Sequence, residues 1–330
     1  MGPSTGGPRT GLTDVAGLLV GHATDPVGLT GATAVLCPGG AVAGAVIRGC
    51  ASGVLGLDVL DPEHVVERIH GVILAGGSAF GLEAAFGVMA HLEAAGVGFP
   101  TAAGIVPLVV GAILYDLGLG DPTARPDRAM GRRAAEAATG GPVAEGSIGA
   151  GTGATVGKAF GLGRAMKGGI GTASRRLGAA TVAALVVVNA VGDVRDPTSG
   201  ALLAGARTAP DEPHLADAAQ AIRRGAVHLG FAATHTTIGV VATDLLLTKP
   251  EARRLAALAH DGLVATLSPP HLVVDGDTLF ALATGTRTGR DLPLDALGLG
   301  AGEAVAEAVG RAIRAATSLG GVPAWQDLQG

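Results

Sequence analysis

The chain has 330 residues, of which 56 are glycine, while six Phe, one Trp and one Tyr are its only aromatic residues. A net charge of −5 excludes the clustered basic surface of a nucleic-acid-binding protein, and a charged fraction of 15% with 48% hydrophobic residues excludes a disordered chain. Two cysteines are too few for a disulfide scaffold, and no Gly-X-Y period supports a collagen-like chain. The composition predicts a globular protein with a core of small aliphatic side chains and many tight glycine turns.

Apolar periodicity predicts short strands that alternate with alanine-rich helices, a pattern typical of an α/β fold. The predicted strands are Ala32–Cys37, Val42–Ile47, Val72–Ala75, Val182–Asn189, Thr236–Thr243 and Thr278–Ala283. The predicted helices are Pro62–Arg68, Ser78–Ala95, Arg128–Thr139, Pro213–Leu229, Pro250–Leu267 and Gly302–Ala316. Proline in the first turn supports two of these starts, and Ser78 is expected to cap its helix.

The sequence shows neither a secretory signal nor a membrane-spanning segment. The mostly apolar run from Ala179 to Val188 is about half the length of a membrane-spanning helix, which needs roughly 20 residues. No charged segment followed by an apolar one opens the sequence as a secretory signal would. We therefore expect a cytoplasmic protein with neither a membrane nor a nucleic acid as its partner.

Several glycine-rich segments approach known motifs without meeting them. The segment from Gly153 to Ala159 lacks the first glycine of a phosphate-binding loop and has alanine where Ser or Thr would hold magnesium. The segment from Gly149 to Ala154 is close to a dinucleotide fingerprint, but no acidic residue follows about 20 positions later. Around Ser78 the next glycine comes one position too late for a serine-hydrolase elbow. The nine histidines form no recognisable metal motif, so we expect neither a cofactor nor a metal.

A set of polar residues remains at the ends of predicted apolar strands and in glycine-rich loops. Such positions are typical of catalytic sites, although polar residues there also simply cap turns. Tyr115 is the only tyrosine, and Lys158 is one of three lysines. The set consists of Tyr115, Lys158, Asn189, Thr236, Thr237, Asp275 and Asp277.

Several segments of the chain, in the same order, resemble the L-aminopeptidase/D-amidase/D-esterase family, to which the nylon-oligomer hydrolases belong. The opening from Gly11 to His22 and the final Val322-Pro323 are also similar to the family's ends. The four central segments run from Gly76 to Leu82, from Met166 to Ser174, from Thr236 to Asp244 and from Asp275 to Ala281. The resemblance implies a four-layer αββα sandwich of the N-terminal-nucleophile-hydrolase type, formed as a single catalytic domain over residues 1–330.

Members of this family are made as one inactive chain that cuts itself, so the resemblance implies a cut between His235 and Thr236. A threonine hydroxyl is a weak nucleophile and needs a base. Cleavage just before Thr236 frees an α-amino group whose ordinary pKa of about 7.7–8.0 suits that task. Scaling the mass of 32.0 kDa by chain length predicts an α chain 1–235 of about 23 kDa and a β chain 236–330 of about 9 kDa.

The remaining roles also follow from the resemblance. Asn189 and Tyr115 match positions that hold the substrate carbonyl and its oxyanion. Lys158 matches a lysine beside the nucleophile, whose charge would favour the neutral form of the threonine amine. Asp275 and Asp277 match the carboxylates of the threonine-using branch, where they orient the amine or polarise the nucleophile.

The residue before the nucleophile departs from the family pattern, because His235 stands where the threonine-using branch usually has Asn. The acyl shift attacks a backbone carbonyl, so any side chain is compatible with it in principle. Slower processing and an uncut precursor are both open, and Thr237 is an alternative hydroxyl next to Thr236. His235 is expected to be a loop residue beside the scissile bond rather than a further catalytic group.

The sequence thus predicts an amide-bond hydrolase that acts on a small amide or peptide substrate, of the endo-type aminohexanoate-oligomer (nylon-oligomer) hydrolase kind. One alternative is an aminopeptidase or amidase acting on small peptides, β-peptides or amino-acid amides. A second alternative, from another class, is an unprocessed, non-catalytic assembly protein. The resemblance also implies a homo-oligomer, a tetramer or larger, of processed αβ units.

Overall fold

The computed structural model describes residues 11–227, 235–287, 289 and 292–329. Its strands are β1 Leu19–Asp25, β2 Thr30–Gly49, β3 Val54–Leu55, β4 Ile69–Ala75, β5 Phe99–Thr101, β6 Gly104–Val106, β7 Val109–Ile113, β8 Thr155–Val156, β9 Met166–Lys167, β10 Gly169–Leu177, β11 Ala180–Val188, β12 Asp193–Arg195, β13 Leu202–Ala204, β14 Ile238–Leu245, β15 Leu267–Ser268 and β16 Gly276–Arg287. Its α-helices are α1 Ala84–Ala94, α2 Arg128–Glu136, α3 Ala218–Arg223, α4 Lys249–Thr266 and α5 Leu294–Ala315. None of the helices in this part of the chain is both long and apolar enough to cross a membrane.

One long strand, β2, connects the two halves of the sheet system. The sequence predicts two strands here, Ala32–Cys37 and Val42–Ile47, but the structure joins them into one strand of 20 residues. The pairing of β2 with β4 shifts register between Leu36 and Ala41, where the strand contains a Pro-Gly-Gly segment. The N-terminal part of β2 thereby pairs with β1 and β4, and its C-terminal part pairs with β16.

The sheet has the strand order β10-β11-β14-β16-β2-β4-β7-β3. This order places several candidate residues at neighbouring strand ends. Strand β14 lies between β11 and β16, antiparallel to the first and parallel to the second. Ile238 is opposite Val187 on β11 and opposite Thr278 on β16. The residues just before β14 therefore lie next to the end of β11 and the start of β16.

Three hydrophobic clusters define four layers. On β11, alternate side chains point to opposite faces, as the period of a strand requires. Leu185 and Val187 belong to the cluster between the two halves of the sheet, whereas Val186 and Val188 pack against α4 and α5. A third cluster packs the outer face of β4 against α1 and α2. The order is helices, sheet, sheet, helices, which confirms the predicted α/β four-layer αββα sandwich.

Two predicted helices are wrong in whole or in part. Pro62–Arg68 forms turns and bends instead of a helix. The buried ammonium of Lys249 donates to the main-chain oxygens of Asp61 and His64, which would otherwise accept the hydrogen bonds of a helix. The predicted helix Pro213–Leu229 is reduced to α3. Residues 213–217 instead belong to a loop in which Leu215 pairs with Arg207, and Leu229 lies outside the described residues.

The other predicted helices occur with shifted bounds. The segment from Ser78 begins as a 3-10 turn over Ser78–Glu83 before α1, and Gly77, without a side-chain bond, occupies the cap position predicted for Ser78. Helix α5 begins eight positions earlier than Gly302. Helix α4 starts with proline in its first turn, as predicted, and the structure adds a reciprocal capping box between Thr248 and Glu251.

Many glycines lie at contacts between two layers and not in the predicted tight turns. A Cβ at Gly21 in β1 would be 2.2 Å from the carbonyl oxygen of Ala134 in α2. A Cβ at Gly171 in β10 would be 2.1 Å from the carbonyl oxygen of Ala308 in α5. Helices approach the sheets this closely only where side chains are missing, and this accounts for much of the high glycine content.

Candidate active site

Thr236 and Thr237 immediately precede β14, at the end of the sheet where β11 ends and β16 begins. Both are buried, with 2% and 0% of their surface exposed. The N–H of Thr236 donates to the main-chain oxygen of Asn189 at 3.2 Å, and the N–H of Thr237 donates to Asp277 Oδ1 at 2.7 Å. The two threonines are thus fixed through their backbones between the end of β11 and the start of β16.

Asn189 and Lys158 form one unit beside Thr236. Lys158 Nζ donates to the main-chain oxygen of Asn189 at 2.9 Å and to its Oδ1 at 2.7 Å. Thr155 N–H also donates to Oδ1, at 3.0 Å. Because these donors fix Oδ1, the amide nitrogen Nδ2 must point the other way, where it donates to the main-chain oxygen of Tyr115 at 3.2 Å. The sequence-predicted residues Tyr115, Lys158, Asn189 and Thr236 are therefore brought together.

The ammonium of Lys158 is held in an environment that disfavours its charge. Burial lowers its pKa from 10.5 to about 7, and the nearby charge of Lys167 acts in the same direction. Asp275 and Asp116 partly oppose this shift. A lysine with a pKa near neutrality can exchange a proton with an adjacent amine at physiological pH.

The two carboxylates flank the threonines on the side of β16. Asp275 Oδ2 accepts from Leu272 N–H at 2.8 Å, and Asp277 binds Thr237 as described. Burial and the negative charge of Asp277 raise the pKa of Asp275 from 3.8 to about 7. The carboxyl group of Asp275 therefore keeps its proton to a higher pH than an exposed aspartate does.

His235 lies on the other side of the predicted scissile bond. Its main-chain oxygen accepts from Gly276 N–H at 2.9 Å, which orients and polarises the carbonyl group that precedes Thr236. Its side chain is buried and neither ring nitrogen has a hydrogen-bond partner in the described chain. Burial, followed by the charge of Lys158, lowers its pKa to about 2.

A cavity of about 260 Å³ opens next to this cluster. Tyr115, Thr155, Lys158 and His235 line it on the side of the cluster, and Leu119 and Leu162 are among the residues on its other walls. The cavity thus joins polar groups to an apolar wall, as is common in small-molecule sites. No group of His, Cys, Asp or Glu residues in the described ranges is arranged to hold a metal ion.

Sequence reasoning missed His271, which supports the carboxylates. His271 Nδ1 donates to Asp277 Oδ2 at 2.8 Å, and its ring contacts that of His260 at 5.0 Å between centroids. His271 has a φ of +53°, an uncommon conformation for a residue other than glycine. No sequence motif predicts this contact, because it depends on the path of the loop before β16.

Lys167 and Asp116 are two further buried charged residues near the site, and sequence reasoning did not place them there. Lys167 Nζ donates to the main-chain oxygens of Thr152 and Ala154 at 2.7 and 2.8 Å. These bonds fix the loop that leads to Thr155 and thereby to Asn189. The scarcity of lysine is the signal that could have found it, because all three lysines of the chain are buried.

The αββα layers and the buried cluster of hydroxyl, lysine, amide and carboxylate groups define an amide-bond hydrolase of the Ntn-hydrolase fold. The model of peptidase family S58 matches residues 10–325, and the chain belongs to this family.

Relatives agree with this assignment. An uncharacterised aminopeptidase of Mycobacterium leprae is 40% identical over 96% of this chain and 94% of its own length. A 6-aminohexanoate-oligomer endohydrolase of Kocuria sp. is 33% identical over 87% of this chain and 81% of its own. Among solved structures, the L-aminopeptidase D-Ala-esterase/amidase of Ochrobactrum anthropi, described as a variant of the Ntn-hydrolase fold, matches with a TM-score of 0.71 at 25% identity, over 97% of this chain and 91% of that one.

Proposed function

We propose that the protein is a self-processing amide-bond hydrolase whose nucleophile is Thr236, exposed as an N-terminal residue by cleavage after His235. The observation that carries the proposal is the position of Thr236, whose nitrogen lies on the same Asn189 carbonyl oxygen as Lys158 Nζ. Once freed, the α-amine of Thr236 stays beside a lysine whose pKa is lowered to about 7. The protonated form of this lysine, which prevails below about pH 7, favours the neutral amine, which is the form able to act as a base.

Self-cleavage is an acyl shift within the chain. Thr236 Oγ1 attacks the carbonyl carbon of His235 and an ester bond forms. The peptide C–N bond breaks, and the proton of the hydroxyl passes to the departing nitrogen, which becomes the free α-amine. Gly276 N–H, which binds this carbonyl oxygen, supports the developing negative charge. Water then hydrolyses the ester, which leaves residues 1–235 and 236–330 as separate chains.

Turnover repeats the same chemistry on a substrate. The Thr236 hydroxyl attacks the substrate amide carbonyl while its proton passes to the α-amine. Asn189 Nδ2 and the hydroxyl of Tyr115, as hydrogen-bond donors, stabilise the oxyanion, and the α-ammonium returns the proton to the leaving amine. Water hydrolyses the resulting ester. Asp277 holds the start of β14 through Thr237 N–H, and Asp275 supplies a negative charge that favours the charged form of Lys158.

The paired carboxylates and the 33% identity to an aminohexanoate-oligomer endohydrolase favour linear amide oligomers as substrates. A second candidate is an aminopeptidase on small peptides or amino-acid amides, which the name of the 40% identical relative supports. Both candidates use the same nucleophile and the same self-cleavage.

Denaturing mass spectrometry tests the proposal. We expect the wild-type chain to yield fragments of about 23 and about 9 kDa, scaled from 32.0 kDa. The Thr236→Ala chain should remain whole and inactive, whereas Thr237→Ala, the matched control one residue further on, should still cut at the same bond. A Thr236→Ala chain that cuts itself and hydrolyses amides would show that the nucleophile is wrong. An uncut, inactive wild-type chain would favour a non-catalytic assembly protein.

A further inference from the structure

Leu162 belongs to the apolar wall of the 260 Å³ cavity. Its Cδ2 atom lies 3.7 Å from the point where a Cβ of Gly118 would be, so it fills the space beside this glycine. The side chain also packs against the buried cluster of Leu29, Leu119 and Val322. The size of Leu162 therefore decides how much of the cavity is open to a substrate.

The backbone that carries Leu162 has little support of its own. It forms a single 3-10 turn, Leu162–Arg164, which follows Gly161. Gly161 has a φ of +88°, a conformation that favours glycine. A Cβ added at Gly161 or at Gly163 would meet no described atom within 4 Å. The position of Leu162 therefore depends on hydrogen bonds that reach this turn from elsewhere in the chain.

Arg207 supplies these hydrogen bonds. Its N–H donates to the main-chain oxygen of Arg164 at 2.8 Å, and its Nη2 donates to the main-chain oxygen of Gly163 at 2.9 Å. In return, Arg164 Nε donates to the main-chain oxygen of Arg207 at 2.5 Å. Arg207 is buried, and it is not among the described residues that line the cavity. It thus fixes the turn that carries Leu162 from outside the site.

The acyl part of a substrate lies on the same side of the nucleophile as Leu162. His235, the acyl residue in the proposed self-cleavage, lines this cavity together with Leu162. A substrate acyl chain that presents its carbonyl group to Thr236 takes the place of His235. Each CH₂ group that it buries stabilises the complex, until the chain reaches a leucine that is already packed against its neighbours.

We propose that Leu162 sets the length limit of the acyl chain that the enzyme accepts, and that Arg207 is a positioning residue that holds Leu162 in the cavity wall. The inference rests on the proposed function, because the cavity receives a substrate only if Thr236 is the nucleophile. It assigns the choice between short and long acyl chains to two residues that take no part in the bond changes.

A series of p-nitrophenyl esters of straight-chain acids, from acetate to decanoate, tests the role of Leu162. We expect kcat/KM of the self-processed wild-type enzyme to rise with chain length to a maximum and then to fall. In Leu162→Ala the maximum should move to chains about two or three carbons longer, and the decanoate-to-acetate ratio of kcat/KM should rise at least about tenfold. Leu319→Ala is the matched control, because Leu319 packs on the same cluster but does not line the cavity, and it should keep the wild-type maximum.

The outcomes separate this inference from the proposed function. A wild-type profile without a maximum, an unchanged maximum in Leu162→Ala, or an equal shift in Leu319→Ala would overturn the inference. The proposed function would then still stand, because the processed chain hydrolyses the esters. Hydrolysis by the wild-type chain that is no faster than that by Thr236→Ala would overturn both.

The role of Arg207 is tested by its own pair of variants, with kcat/KM taken per processed chain. Arg207→Met removes the donor to Gly163, so its maximum should move in the same direction as that of Leu162→Ala. Arg207→Lys keeps an ammonium donor and should restore much of the wild-type profile. Added to Leu162→Ala, Arg207→Met should cause no further shift. A wild-type maximum in Arg207→Met, or the same shift with and without Leu162, would show that Arg207 does not act through Leu162.

Discussion

At the scale of single residues, the orientation of one amide group decides what the site can do. Lys158 and Thr155 N–H hold Asn189 Oδ1, so the donor side of the amide is directed toward the main-chain oxygen of Tyr115. An asparagine in the opposite orientation would present an acceptor to an oxyanion and repel it. Lys158 therefore has two consequences for the site: it biases the protonation of the Thr236 amine, and it fixes the oxyanion donor.

These two roles of Asn189 can be separated by substitution. Asn189→Asp keeps an oxygen for Lys158 and Thr155 but removes the donor, and we expect kcat to fall about 10²–10³-fold. Asn189→Ala should lose as much activity and also lower the free energy of unfolding by about 1–3 kcal/mol, because buried donors then lack an acceptor. The measurement is kcat per processed chain, with the processed fraction determined by mass spectrometry. Equal activity in Asn189→Asp and wild type would remove Asn189 from the oxyanion site.

At the scale of elements, two glycines show how closely α4 and α5 cross. A Cβ at Gly262 in α4 would lie 2.3 Å from the carbonyl oxygen of Gly302 in α5. A Cβ at Gly302 would find no described atom nearer than 3.6 Å. The two glycines face each other across one helix crossing, yet only one of them is required for close contact.

This asymmetry gives a matched pair of variants. We expect Gly262→Ala to lower the free energy of unfolding by about 1–3 kcal/mol, because two backbones must separate. Gly302→Ala should be neutral or raise it by up to about 1 kcal/mol, since alanine favours a helix interior over glycine. Urea denaturation of both variants in the Thr236→Ala background keeps the chain in one piece. A larger loss in Gly302→Ala than in Gly262→Ala would contradict the close crossing.

The sequence predicts elements well where local chemistry decides them and poorly where distant groups do. The start of α4 follows from Thr248, Pro250 and Glu251 within one turn. The helix predicted at Pro62–Arg68 does not form, because Lys249, far along the chain, binds the carbonyl oxygen of Asp61 just before it and that of His64 within it. The same distinction holds in the site: motif resemblance finds Lys158, Asn189 and Asp277, whereas His271 reaches Asp277 only through the fold of its loop.

At the scale of the whole molecule, burial shifts the pKa values of several ionisable groups. Lys158 and Lys167 dominate the pH dependence of stability above neutral pH. Burial lowers the pKa of both Lys158 and Lys167 to about 7. The raised pKa values of Asp193 and Asp275, about 6 and about 7, affect stability mainly below neutral pH. The lowered pKa values of His22 and His260, both about 4, also act in that range.

The sign of the resulting pH dependence follows from proton counting. Above about pH 7 the folded chain releases the protons of both lysines, whereas the unfolded chain keeps them up to about pH 10.4. The unfolded state then binds more protons, so the free energy of unfolding should rise between about pH 7 and 8.5. Above this range Cys37 opposes the rise, because its buried thiol has a pKa raised to about 12 and ionises only on unfolding.

We therefore expect the uncut Thr236→Ala chain to become more stable from about pH 7 to 8.5, by on the order of 1 kcal/mol per pH unit for each lysine. Urea denaturation at several pH values measures this slope. Lys167→Met removes one of the two groups and should roughly halve the slope, although it also lowers stability at every pH because Thr152 and Ala154 lose a donor. A flat or falling curve in the parent chain, or an unchanged slope in Lys167→Met, would show that these lysines are not held neutral by burial. A halved slope would instead assign the rise in stability to both buried lysines, Lys158 and Lys167, in equal measure.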